Sequence, residues 1–286
     1  MFAVARPLVA LALVSLGGCS GSGAPDTIAR GAPAEFLNHA PDVGYVGADA
    51  CRECHAEIAS SYARTGMGRA YYPLTAETEI EDFDDRNTFV APSGLTYRME
   101  KRGGRYLMRQ FVPGDGGREL VPDEREMQFV LGSGNHARSY VTEVDGQLYQ
   151  LPICWSPRAS LWDVCPGFEH DSSHFRRHAT PSCVFCHNGR MVDVEGTISA
   201  YREPVPNGIG CERCHGPGAE HVARWREGGI PTGGLDPTIV NPRRLPQPER
   251  IEVCFQCHLG DSKATERVAT IDTSLLDWRP GQRLGV

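Results

Sequence analysis

Residues 211–215 read CERCH, two cysteines three positions apart with a histidine directly behind the second, and the reading of the whole chain turns on what that pattern can hold. It returns as CRECH at 51–55, CVFCH at 183–187 and CFQCH at 254–258. The chain has 10 histidines in 286 residues. A histidine therefore has roughly one chance in 29 of filling any given place, and four such placements arise by accident about once in 10⁶. A thioredoxin-type CxxC or a structural zinc knuckle leaves all four histidines unexplained.

Haem attachment explains every position. Two thiols one helical turn apart each add to a vinyl group of one porphyrin, and the imidazole of the next residue lies under the iron as its proximal ligand. The sequence thus predicts four covalently bound c-type haems. Cys51, Cys54, Cys183, Cys186, Cys211, Cys214, Cys254 and Cys257 bind the porphyrins, and His55, His187, His215 and His258 bind the irons.

Six histidines remain for the distal positions, and Met67 is a further candidate. The choice matters because an axial methionine raises the reduction potential relative to a second histidine. In CHGPGAEHVARW the Gly216-Pro217-Gly218 turn precedes a helix from near Ala219, which keeps His221 from its own motif's iron and turns it towards a neighbouring haem. His136 lies in the glycine-rich loop LGSGNHARSY, where no lysine-bearing phosphate motif follows, so it reads as an axial or haem-edge residue. His170, His174 and His178 crowd the approach to the second motif; His174 is taken as a ligand candidate and the others as propionate partners or solvated residues. Met67 lies in RTGMGRAY, whose glycines would let the chain approach a haem, and His39 lies in the lead-in to the first motif.

Of the 11 cysteines, three fall outside the motifs. Cys154 and Cys165 read as a disulfide in an oxidising compartment. Cys19 follows Leu16-Gly17-Gly18 at the end of a short apolar run with a basic residue, Arg6, ahead of it. That is an export signal with a lipobox-like end, so Cys19 is the expected lipidation site and first mature residue. Several acyl chains on one residue give a stable membrane anchor.

The domain organisation follows: a lipoprotein-type signal over 1–18, a Gly/Ser/Ala/Pro-rich flexible tether over 19–42, and a first haem segment over 43–75. A β-rich insertion covers 76–162, a cluster with motifs two to four 163–262, and a C-terminal segment 263–286. The insertion alternates in period two over Leu95–Glu100 and Tyr106–Val112 around Gly103-Gly104, and over Tyr140–Val144 and Leu148–Leu151 around Asp145-Gly146. These are hairpins. The fold class expected is α+β with little regular structure: short helices and loops around haems, and a small antiparallel β insertion between the first and second.

A formal net charge of −7, from 29 basic and 36 acidic residues, argues against nucleic acid as a partner. It suggests a redox partner with a basic docking patch.

The stretches YVGADACRECH, RTGMGRA, GSGNHARSY, WDVCPGF, PNGIGCERCHGPGAEHV and TIVNPRRL leading into VCFQCHLG together resemble the multihaem cytochrome c-552/4 family. The resemblance implies electron-transfer haems packed in pairs, with the histidine at 221 as a distal ligand. Many similar proteins place histidine where this chain has Met67. Many also continue past the stretch resembling LLDWRPGQRLGV, which marks this chain as a fragment or a shortened relative. The expected function is electron transfer between periplasmic or membrane redox proteins, on the periplasmic side of a bacterial membrane. No acid or base stands out as catalytic. The alternative is a multihaem oxidoreductase acting on a small nitrogen or sulfur compound at an open-coordination haem.

Overall fold

The computed structural model describes residues 36–169, 173–202, 207–229, 235–258 and 277–284. Cys19, the export signal and His170 lie outside the described residues. The helices are short: α1 Gly47–Arg52, α2 Ala56–Tyr62, α3 Pro181–Phe185, α4 Glu212–His215, α5 Ala219–Arg226 and α6 Glu249–Phe255. None is long and apolar enough to cross a membrane.

The strands lie between the first and second motifs. They are β1 Tyr71–Pro73, β2 Thr88–Val90, β3 Thr96–Arg102, β4 Arg105–Pro113, β5 Glu119–Glu126 and β6 Phe129–Leu131. After these come β7 Ser139–Val144, β8 Gln147–Gln150, β9 Ile153–Ser156, β10 Leu161–Val164 and β11 Arg177–His178. One sheet has the order β2-β3-β4-β5, a second β1-β6-β7-β8-β11, and β9 and β10 form a hairpin. The chain is thus α+β, with antiparallel sheets and few helices.

Two hairpins sit where alternation places them. Gly103 and Gly104 at φ 61° and 78°, and Asp145 and Gly146 at φ 52° and 76°, supply the paired left-handed residues of tight hairpin turns. The β3–β4 register puts Met99 opposite Met108, both wholly buried. With Tyr97, Tyr106, Tyr140, Trp155 and Trp162 they form the main core. Beneath it Arg138 Nε lies 2.6 Å from Glu81 Oε1 with both side chains sealed from solvent, and the Tyr140 hydroxyl donates to the same oxygen at 2.5 Å. A buried pair of this kind contributes more to a unique arrangement than to stability.

Two expectations are revised. The tether was expected to run to residue 42, but Phe36 is buried with Val240, Leu245 and Val253, and Asn38 is fully buried. The fold therefore begins by Phe36. Cys154 and Cys165 are both buried, and the Cys165 thiol donates to Ser139 Oγ at 3.5 Å. Burial, then the neighbouring Cys154 thiol, pushes the Cys165 pKa well up. Both are free thiols in this structure, so the expected bond is not formed in it.

Candidate metal centres

Each attachment motif is a single helical turn. The amides of His55, His215 and His258 donate to the carbonyls of Cys51, Cys211 and Cys254 at 2.9, 3.1 and 2.8 Å. In the second motif the His187 amide donates to Val184 instead, at 3.1 Å, where α3 tightens at its end. Helical winding brings positions i, i+3 and i+4 to one side, so the two thiols and the imidazole of a motif share a face.

The motifs meet in two pairs. The Cys51 thiol neighbours that of Cys211, and the Cys186 thiol neighbours that of Cys257. Motif one thus touches motif three, and motif two touches motif four. Among the described residues no three His, Cys, Asp or Glu side chains converge as metal ligands, so the paired CxxC turns do not build a zinc knuckle.

The third motif is the hub. The Glu212 carboxylate accepts hydrogen bonds from the amides of Val46, Gly47 and Gly218 at 2.9, 2.9 and 2.8 Å. The Arg213 guanidinium lies 4.1 Å from the Phe185 ring centre in the second motif, and burial pushes its pKa down. The Arg213 carbonyl accepts from Gln256 Nε2 of the fourth motif at 2.9 Å. Asn38 Nδ2 donates to the carbonyls of His215 and Pro217 at 3.0 and 3.3 Å. Gly216 has φ +76°, and a Cβ there would lie 2.6 Å from Asn38 Nδ2, so the turn after the motif requires glycine.

His55 and His221 face each other. Their ring centres are 6.4 Å apart and their planes 14° from parallel. A metal bound by two imidazoles through bonds of about 2 Å separates the ring centres by roughly 6 Å, so the spacing of the pair matches two axial ligands of one iron. His221 Nδ1 lies 2.9 Å from Asp236 Oδ2. Burial pushes the Asp236 carboxyl up, but hydrogen bonds from Thr238 and Trp225 and the nearby His221 outweigh it and hold its pKa below the ordinary value. The ionised carboxylate accepts the Nδ1 proton, which leaves Nε2 with its lone pair for a metal. His215 is held alike, its Nδ1 donating to the Val240 carbonyl at 2.7 Å. Burial pushes the His187 pKa down, towards the neutral ring a ligand needs, and its buried Nδ1 has no hydrogen-bond partner. His258 is exposed.

Beside the second motif a cleft of about 250 Å³ is lined by Val184, Phe185, Met191 and Tyr201, with Arg190, Arg213, Asp193 and Asp277 at its wall. The two guanidinium groups suit carboxylates, whereas the two aspartates oppose them. The fit to c-type haem rests on the attachment turns, each of which sets two thiols and an imidazole on one face.

The other candidates lie elsewhere. Met67 is exposed, and the residue facing His55 is His221. The glycines around Met67 serve a backbone crossing: a Cβ on Gly208 would lie 2.3 Å from the Gly68 carbonyl oxygen, and the Ile209 amide donates to the Met67 carbonyl at 3.0 Å. His136 is exposed in a loop whose Ser133 and Asn135 pack against Gly66. His174 is half-buried with φ 54°. His178 bonds Ser199 Oγ at 2.8 Å and stacks on Tyr149, and His39 bonds the Pro280 carbonyl at 2.8 Å, so both have structural roles. Sequence reasoning missed Glu212, which accepts from amides more than 160 residues away, and Asp236, which reaches back 15 residues to His221.

The family "Cytochrome c554 and c-prime" matches residues 168–216, a stretch holding the complete second and third motifs. The crystal structure of the outer cell wall cytochrome OcwA is similar at a TM-score of 0.44 and 18% identity, over 75% of this chain and 37% of that one. The present chain thus spans little more than a third of that protein's length. No match was found among curated proteins. The family match runs across two whole attachment motifs whose thiols and imidazoles fold onto single turns, so over this stretch the chain is similar to multihaem c-type cytochromes.

Proposed function

We propose that the protein is an exported tetrahaem electron carrier of the cytochrome c-552/4 type, working between periplasmic or membrane redox proteins. The observation that carries this reading is the His55–His221 pair, whose ring centres lie 6.4 Å apart, the spacing of two axial imidazoles on one iron. Bound haem supplies a one-electron ferric/ferrous couple. The chain's residues do the rest: eight thiols hold the macrocycles, His55, His187, His215 and His258 hold the irons from one side, and Asp236 keeps the His221 tautomer fixed. The thiol contacts between motifs one and three, and two and four, support haems whose attachment edges lie together in pairs.

Export and a lipid anchor on Cys19, on the periplasmic side of a bacterial membrane, rest on the leader sequence. The acidic net charge favours a partner with a basic patch, and binding that grows weaker as salt is removed would contradict this.

The test is the spin state of the oxidised holoprotein at neutral pH. Low-spin ferric iron throughout, with weak cyanide binding, supports the carrier. A high-spin haem that takes up cyanide or nitric oxide readily favours a multihaem oxidoreductase acting on a small nitrogen or sulfur compound.

A further inference from the structure

The two imidazoles of the first centre come from separate parts of the chain, and their spacing needs a fastener. His55 opens α2 directly after α1, the helix whose last turn carries Cys51. His221 sits in the first turn of α5, more than 160 residues further on. The direct links between these elements are few. The Ala219 amide donates to the Gly44 carbonyl at 3.2 Å, and Arg226 pairs with Glu53 at 2.9 Å, but that ion pair is exposed and contributes little.

The buried Glu212 carboxylate is of another kind. Oε1 accepts from the amides of Val46 and Gly218, and Oε2 from that of Gly47. Val46 and Gly47 begin α1, and Gly218 immediately precedes α5. One side chain therefore satisfies amides left without helical partners at the N-termini of both elements. Gly218 keeps the approach open: a Cβ there would lie 3.2 Å from Glu212 Oε1 and 3.0 Å from Val46 Cγ2. Glu212 also lies between Cys211 and Cys214, so it is fixed by the motif that binds the third haem.

We infer that Glu212 is a positioning residue for the first haem: from inside the third motif it holds α1 and α5 so that His55 and His221 stand one iron apart. The inference rests on the reading that these two imidazoles share an iron. It makes the sixth ligand of one centre depend on the attachment turn of another.

The test uses holoprotein matured in the periplasm, as wild type, Glu212→Ala, Glu212→Gln and His221→Ala. Haems per chain are counted by pyridine haemochrome, and ferric spin states are quantified by EPR at neutral pH. The expected result for Glu212→Ala is an unchanged haem count with a high-spin signal integrating to one haem per chain, as in His221→Ala. Glu212→Gln keeps the side chain's shape but sets an amide NH₂ against backbone donors, and it is expected to show a partial high-spin fraction and a rise of about tenfold in cyanide affinity at one haem. Added imidazole is expected to return both alanine variants to low spin, and wild-type amide protection in β3 and β4 distinguishes the local change from a general folding defect. A Glu212→Ala protein that stays low spin with wild-type cyanide affinity, beside a high-spin His221→Ala, overturns the role of Glu212 and leaves the ligand pair standing. A low-spin His221→Ala overturns the ligand pair itself. If Glu212→Ala loses haem, Glu212→Gln decides, a wild-type spectrum overturning the inference.

Discussion

His221 shows how much a single side chain owes to its neighbours. Asp236 accepts a hydrogen bond from its Nδ1–H, and Thr238 and Trp225 hold Asp236 in turn. Removing such an outer partner loosens a metal ligand by roughly 10- to 100-fold. Asp236→Ala is therefore expected to bind cyanide about 10- to 100-fold more tightly at one haem, as read by optical titration, with the haem count unchanged. His221→Met is expected to remain low spin and to raise the potential of one haem in a redox titration, because thioether ligation favours ferrous iron. At this scale the sequence displayed the attachment residues in full, since a thiol, a thiol and an imidazole in five positions announce their chemistry. Asp236 and Glu212 were hidden because nothing local marks an acidic residue whose partners are reached only after folding.

Among the elements, the hairpins around Gly103-Gly104 and Asp145-Gly146 were legible because alternation and turn residues agree. The strand Glu119–Glu126 was not. Its sequence ELVPDERE lacks an apolar alternation and contains Pro122, which only an edge strand tolerates. It is held to β4 by backbone pairing and by cross-strand ion pairs, with Glu119 between Arg109 at 2.7 Å and Arg98 at 2.9 Å. The hydrogen bond from Arg109 draws the Glu119 pKa below its ordinary 4.5 against an opposing effect of burial, and the charge of Arg109 and the Arg98 contact add to the lowering. The pairing is thus fully present above pH 4.5 and is lost as the pH falls through the lower folded value. Amide exchange in β5 is expected to quicken under acid in that window, and to quicken at neutral pH in high salt. Exchange in β5 unchanged by either would contradict this.

The glycine crossing between residues 68 and 208 belongs to the same scale. Gly208 has φ +63° and no room for a Cβ. Gly208→Ala is expected to lower stability by more than about 1 kcal/mol, measured as a shift in the urea midpoint of the holoprotein. A neutral result would show that the two loops part easily.

The whole molecule divides its stability unevenly. Most large buried side chains sit in the sheets, whereas no residue of α1, α2 or α5 is buried. Helices this short are marginal in water without a face to pack on. Chain made without haem attachment is therefore expected to keep slow amide exchange in β3, β4 and β7 and to lose it in α1, α2 and α5. Uniform protection in the haem-free chain would contradict this division.

The α+β class and the position of the sheets were legible because periodic strands and attachment turns occupy different stretches. The link between motifs through Glu212, Arg213 and Gln256 was not, because it depends on contacts between distant turns. The most direct measurement is a haem count on the protein matured in the periplasm, by pyridine haemochrome after denaturation and acid extraction of any free haem. The expected result is four covalently held haems per chain. None, with zinc in their place, would contradict the reading at its root.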